Sequence, residues 1–175
     1  MSEFKIIAKF EFVSKEQFLS SYEEDSAVDI YNELKLPKRA TIGSAGYDFY
    51  APFDIELKPG CTMKIPTGIR VFMEPNFVLK LYPRSGLGFK YRLQLNNTVG
   101  IIDSDYYYSD NEGHIFAKIT NDSNEGKTVY IKKGEGFMQG IFIEYGITFD
   151  DDVQEKRNGG FGSTTKWITL TNYVK

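Results

Sequence analysis

NTVGIIDSDY, residues Asn97–Tyr106, sets a short apolar run behind a turn-forming glycine, Gly100, and follows it with two carboxylates and an aromatic ring. Ile101 and Ile102 are β-branched, so the run reads as a strand whose end delivers Asp103 into a pocket. Asp103 and Asp105 flank Ser104, and if the strand continued, its period of two would point both carboxylates to one face. Such a pair can bind a metal ion or activate water. The structural alternative is an Asp-rich turn, and for Asp105 that is the expectation.

Outward from this segment the chain keeps the same texture. Thr62–Val71, Phe77–Tyr82 and Tyr91–Val99 precede it as β-like runs, and His114–Ile119, Thr128–Ile131 and Phe137–Ile143 follow, divided by Gly, Pro, Asn and Asp. Short strands with frequent turn signals predict a compact all-β body of the barrel or jelly-roll kind from Pro37 onward. Ahead of it, Phe4, Ile6, Ala8, Phe10 and Phe12 recur at every second position, the pattern of a strand with one buried face. Ser14 with Gln17 resembles a capping box, and Phe18, Leu19 and Tyr22 supply the apolar side of a short helix. Ala27–Leu34 reads either as a second helical turn or as an irregular arm. The polar stretch Phe149–Asn158 reads as a hinge. These features divide the chain into an amino-terminal extension (residues 1–36), a β domain (37–150) and a carboxyl-terminal arm (151–175).

A chain of 175 residues with 41% apolar and 15% aromatic content builds one substantial core, not two. Its net charge of −3 spreads 21 basic residues among 24 acidic ones, with no basic run longer than a pair such as Lys132-Lys133. That argues against a polynucleotide groove and leaves room for a small polyanion such as a nucleotide, which needs only a few local donors. The single cysteine, Cys61, makes no internal disulfide, is expected as a small buried or edge residue, and suits a reducing cytoplasm. Lys5 and Lys9 interrupt the apolar start, and no 18-residue apolar run follows, so no membrane association is expected. The lone histidine, His114, falls in an expected strand and reads as a structural or surface residue and not a catalytic one.

Four further motifs carry chemistry. In GSAGYDFYAP (residues 43–52) Gly43 and Gly46 permit a tight turn, and Asp48 stands where a strand begins. YPRSGLGFKY (82–91) sets Arg84 and Ser85 before Gly86 and Gly88, so that side-chain and backbone donors converge at a turn able to cradle phosphate oxygens. GEGFMQGIF (134–142) offers the amide of Gln139 within a strand, and RNGGFGST (157–164) joins Arg157 to a glycine run without the lysine of a Walker loop.

Taken in order, GYD, PRSGLG, GIIDSDY, GEGFMQ and GGFGST resemble the five motifs of the trimeric dUTPase family, across residues 37–165. The resemblance implies a jelly-roll or β-clip barrel and a homotrimer with three active sites between subunits. It implies hydrolysis of dUTP to dUMP and pyrophosphate with magnesium (Mg2+), which limits uracil in DNA and supplies dUMP. Carried over, the pattern makes Asp103 the carboxylate that orients and deprotonates a water for attack at the α-phosphorus, with Gln139 near that water. Asp48 holds the triphosphate-bound magnesium through water. Arg84, Ser85 and Gly86 match the phosphate-binding turn, while Arg157, Gly162, Ser163 and Thr164 match an arm that closes over the γ-phosphate. Phe161 stacks on uracil. Asn97, the backbone of Gly100, Ile101 and Ile102, and the returning strand at Phe116 read the base, and Tyr106 packs under the deoxyribose.

The chain departs from the pattern in three places. YYSDNE (107–112) inserts between Tyr106 and Gly113 and reads as an exposed hairpin tip; Gly136 stands where the family commonly has arginine; and the spacing after Arg157 is one residue short, with Thr165 in place of a glycine. Two rivals accompany the main reading: a dCTP deaminase, alone or bifunctional, and a regulatory binding protein on the same fold.

Overall fold

The computed structural model describes residues 4–22 and 27–157, so Phe161, Gly162, Ser163 and Thr164 lie outside the described residues. The amino-terminal segment holds β1 (Ala8–Phe12), α1 (Lys15–Leu19) and α2 (Ala27–Asn32). The body follows with β2 (Lys38–Arg39), β3 (Tyr47–Tyr50), β4 (Ile55–Leu57), β5 (Thr62–Pro66), β6 (Ile69–Met73) and β7 (Phe77–Pro83). After α3 (Ser85–Tyr91) come β8 (Leu93–Leu95), β9 (Gly100–Ile102), a 3₁₀ turn (Ser104–Tyr108), β10 (Phe116–Asn121), β11 (Val129–Ile131) and β12 (Gly136–Glu144).

All pairings are antiparallel. The largest sheet has the order β2-β3-β12-β7-β9, a second has the order β5-β10-β8, and β1-β6 and β11-β4 complete the body as pairs. Alternation along β4, β8, β9 and β11 sends every second side chain inward, and the inward sets meet in one core around Phe49, Ile65, Leu79, Ile119, Phe137 and Met138, each no more than 1% exposed. The expected all-β jelly-roll-like class is what the chain adopts.

Several expected elements differ from the observed ones for local reasons. The run Thr62–Val71 is two strands, because Gly68 breaks it at φ 72° where an added Cβ would stand 2.3 Å from Leu34 Cδ1 and 3.1 Å from Phe18 Cδ2. The segment after the break turns away from β10 to pair with β1, so the amino-terminal extension is part of the sheet structure. Only Ala8–Phe12 of the alternating amino-terminal pattern is a strand, and Phe4 and Ile6 are exposed. Ser14 accepts from the Gln17 backbone N–H at 3.1 Å as a cap should, but its own N–H goes to Glu112 instead of Gln17. Ala27–Asn32 is helical, which settles the open alternative there. In the Tyr91–Val99 run only Leu93–Leu95 is a strand, because α3 extends through Tyr91 and Arg92 (φ 52°) and Thr98 (φ 65°) bracket it in left-handed backbone. Cys61 is exposed just before β5.

His114 is fully buried, between the rings of Phe116 (4.2 Å) and Phe18 (6.1 Å). Its Nε2 accepts from the Gly68 N–H at 2.9 Å, so the proton sits on Nδ1, which has no hydrogen-bond partner among the described residues. Burial pushes its pKa down from 6.5 to about 4, with Lys64 acting in the same direction and Glu112 against it. The unfolded chain therefore takes up a proton that the fold refuses. Stability is complete above pH 6.5 and falls as pH drops toward about 4, by up to about 3 kcal/mol from this one group. Denaturant midpoints measured across that window should slope with pH, and His114→Gln should flatten the slope. An identical slope in the variant removes His114 as its cause.

Candidate functional site

Strand β9, the 3₁₀ turn after it and the facing strand β10 enclose a cavity of about 670 Å³. Asn97, Gly100, Ile101, Ile102, Tyr106 and Phe116 all line it, as does Asp103. Gly100 lets the strand lie against Leu81: a Cβ there would stand 2.9 Å from Leu81 Cβ. β9 is the edge strand of its sheet, paired with β7 on one side only, so it leaves an unpaired backbone edge beside mostly apolar walls.

Asp103 ends the strand, as expected, but the chain does not continue extended. At φ −77° and ψ 155° Asp103 opens the 3₁₀ turn, so the predicted strand alternation of Asp103 and Asp105 is replaced by a helical turn. The two carboxylates still share a partner. Arg157 donates from Nη2 to Asp103 and from Nε to Asp105 Oδ1, the latter at 2.8 Å, and its guanidinium lies 6.0 Å from the Tyr106 ring. Arg157, expected in the arm over the phosphates, here neutralises the proposed base. Tyr106 is buried; its hydroxyl donates to the His114 carbonyl and accepts from Asn111 Nδ2, each at 2.8 Å. Burial pushes the Tyr106 phenol pKa up, with Asn111 and Arg157 opposing, so it stays protonated at neutral pH.

Asp48, Arg84, Ser85, Gly86 and Gln139 meet elsewhere, in a second cleft of about 650 Å³. The register of β3 with β12 sets Gln139 opposite Asp48. Arg84 caps the start of α3 and places Nε 3.3 Å from Asp48 Oδ1. The expected phosphate-cradling turn is therefore a helix start, whose first backbone N–H groups have no partner within the helix. Gly136 lies beside Arg84: a Cβ at that position would stand 2.9 Å from Nη1, the mobile end of that side chain. Gly46 likewise leaves room for Gln139, whose Oε1 would be 2.6 Å from an added Cβ.

The two clefts share no lining residue. Sequence reasoning named both sets of side chains but not their separation. It also missed Lys64 and Lys118, which line the first cavity and stand opposite each other across β5 and β10, with Lys64 Nζ 4.3 Å from the Phe116 ring centroid. Only the strand register reveals that pair. Among the described residues no three His, Cys, Asp or Glu side chains converge to hold a metal ion. No described helix is long and apolar enough to cross a membrane.

An antiparallel β body thus presents a carboxylate in one largely apolar cavity and an Arg-Ser-Gly helix start in a second cleft, groups suited to binding a small polyanion. The dUTPase family profile matches residues 32–165. The deoxyuridine 5'-triphosphate nucleotidohydrolase of Lactococcus lactis subsp. lactis is 45% identical over 134 residues, covering 75% of this chain and 88% of the relative, and that of Tolumonas auensis is 40% identical over 143 residues, covering 77% and 90%. Among solved structures, the dUTPase of Streptococcus mutans superposes with a TM-score of 0.61 at 35% identity, over 79% of this chain and 97% of that one. The dUTPase of Staphylococcus aureus phage phi11, in a variant form described as coordinating a structural Mg(II) ion, shares the fold with a TM-score of 0.60 at 20% identity, over 85% and 97%. The chain belongs to the dUTPase family.

Proposed function

We propose that this protein hydrolyses dUTP to dUMP and pyrophosphate in sites assembled from more than one copy of the chain. The observation that carries this reading is the division of the residues: β9 and Asp103 line one cavity, Asp48, Arg84, Ser85, Gly86 and Gln139 line another, and one family match spans both. A homotrimer of the family's kind brings the Asp103 cavity of one copy to the Arg84 cleft of the next.

In that site a water oxygen bonds to the α-phosphorus, the bond from phosphorus to the α,β-bridging oxygen breaks, and pyrophosphate leaves. Asp103 orients the water and takes its proton, a step that asks Arg157 to exchange the carboxylate for the incoming phosphates. Gln139 stands near the water and the α-phosphate. Arg84, Ser85 and Gly86 grip phosphate oxygens, for which a planar guanidinium and helix-start N–H groups are suited. Asn97 and the backbone of Gly100, Ile101 and Ile102 pair with uracil, facing Phe116; cytosine would leave those groups unpaired, a mismatch worth about 10⁴-fold or more. Tyr106 lies under the deoxyribose. Residues 151–175 act as the closing arm, with Phe161 on the base and Gly162, Ser163 and Thr164 over the γ-phosphate.

The donor set suits magnesium that arrives on the triphosphate. Mg2+ keeps several waters and needs one or two carboxylates besides substrate oxygens, and Asp48 at the second cleft would supply one. When bound, the ion neutralises phosphate charge. We place the activity in the cytoplasm, with no nucleic-acid partner.

The test is direct. The purified protein is incubated with magnesium and each deoxynucleoside triphosphate, and pyrophosphate and ammonia are measured separately. Pyrophosphate from dUTP alone is expected; ammonia from dCTP would transfer the site to deamination, and silence in both would leave a binding role.

A further inference from the structure

The insertion at residues 107–112 is only in part the exposed hairpin tip that its sequence suggests. Tyr108 and Asp110 are exposed, but Ser109 is buried and Tyr107, Asn111 and Glu112 are half-buried. Arg70 and Phe72 of β6 pack on Tyr107, and the amino-terminal segment holds Tyr107 and Glu112 from the other side. Glu112 adopts a left-handed backbone at φ 58°, a conformation that costs free energy unless its surroundings enforce it. The enforcement is visible: its carboxylate accepts from both the Ser14 N–H (2.7 Å) and the Ser14 hydroxyl (2.6 Å). Although burial pushes this carboxyl up, the two Ser14 bonds prevail and its pKa is lowered, so the carboxylate form is the one held. Tyr107 is tied in parallel, donating to Glu11 of β1 at 2.7 Å.

From Glu112 the restraint passes inward. Asn111 Oδ1 accepts from the Gly113 N–H at 3.2 Å, which orients the amide so that Nδ2 donates to the Tyr106 hydroxyl at 2.8 Å. Gly113, at φ 71°, passes so close that a Cβ would stand 2.8 Å from the Tyr106 carbonyl oxygen. The Tyr106 hydroxyl is thus held from two sides, by Asn111 and by the His114 carbonyl, and its ring forms part of the cavity wall.

We propose that Ser14, Glu112 and Asn111 form a clamp that fixes the Tyr106 ring against the sugar of the bound nucleotide and so sets discrimination between deoxyribo- and ribonucleotides. The inference rests on the dUTP reading of the cavity. A ring held at its hydroxyl cannot retreat from a 2′-hydroxyl, whereas a ring free to tilt can make room for it. Ser14 lies outside the family match, which begins at residue 32, so the selectivity of the site depends here on a residue ahead of the matched stretch. These are positioning residues: they act through Tyr106.

The test compares Asn111→Asp, Ser14→Ala and Ser14→Thr with the parent. Asn111→Asp keeps the size of the side chain and an oxygen for the Gly113 N–H, and replaces the donor to Tyr106 with a charged acceptor; the Tyr106 hydroxyl has one proton to give, so it loses one of its two bonds. Two ratios are read: kcat/KM for dUTP against UTP, and calorimetric Kd for dUMP against UMP, which needs no turnover. Asn111→Asp should lower both ratios about tenfold, the worth of one positioning hydrogen bond. Ser14→Ala should lower them about threefold, and Ser14→Thr, which keeps the hydroxyl, should restore them. Folded variants that keep the parental ratios would overturn the clamp even if they melt earlier, since a purely structural role changes melting and not sugar preference. A parent that binds neither dUMP nor UMP would sink the proposed function and the clamp together; a parent that binds dUMP selectively without hydrolysing dUTP would sink only the hydrolysis.

Discussion

Asp103→Asn should retain uracil-nucleotide binding and lose about 10³-fold in kcat, the scale of removing a positioned general base. The amide has the same shape, so the hairpin from Gly100 to Ile102 and its base-facing backbone should be undisturbed. What changes is that an amide takes no proton from water. The variant also loses half of the charge that Arg157 now satisfies. In the protein that guanidinium donates to Asp103 and to Asp105, leaving Asp105 as its one charged partner of the two in the variant. Arg157 should then pass more readily to phosphate, so Kd for a non-hydrolysable dUTP analogue should stay level or fall while kcat collapses. Steady-state kinetics with calorimetry separates the two. Near-parental kcat in the variant would remove Asp103 from its role, and lost binding with intact folding would make it a structural carboxylate.

Two inactive variants mixed together should become active. Arg84→Ala empties the phosphate-directed cleft and leaves the Asp103 cavity alone; Asp103→Asn does the reverse. Because the two clefts share no lining residue, each variant carries one intact half. If a site draws its halves from different copies in a closed ring, random reassembly of the two chains gives an intact pair in about one quarter of sites, so the mixture should recover roughly that share of parental activity. Co-expression with two tags, or joint unfolding and refolding, would show it by pyrophosphate release. Activity no higher than that of the separate variants would mean that each chain completes its own site, and the division seen between the clefts would then have no functional meaning. Cross-linking mass gives an independent check on the number of copies.

Both predictions draw on residues that the linear sequence displays and on a distance that it does not. Asp103 after Gly100-Ile101-Ile102 was readable because a glycine, two β-branched residues and a carboxylate are local signals, and β9 ends at Ile102 where they say it should. For the segment after it the sequence leaves a continued strand and an Asp-rich turn both open, since the spacing of Asp, Ser and Asp cannot distinguish them, and the chain forms the 3₁₀ turn. Arg84-Ser85-Gly86 was readable as a donor cluster but not as a helix start, because Gly86 and Gly88 disfavour helix and only packing of the surrounding sheet overrides them. The break at Gly68 depends on Phe18 and Leu34, far upstream, and no local window holds that information. The insertion after Tyr106 looked like a solvated tip for the same reason: its partners, Ser14 and Glu11, lie 98 and 96 residues away from Glu112 and Tyr107.

From the order of residues alone came the all-β class, the kinds of side chain available and the five motifs that mark the family. These are properties of short windows, where backbone preference and side-chain chemistry act between neighbours. The tertiary structure alone decided which of those side chains meet. Pairing of β3 with β12 set Asp48 opposite Gln139, and Arg157 met Asp103 across 54 residues, while Asp103 and Arg84 were kept in separate clefts. Such meetings depend on strand register and on core packing summed over the whole chain, and no segment carries that sum by itself.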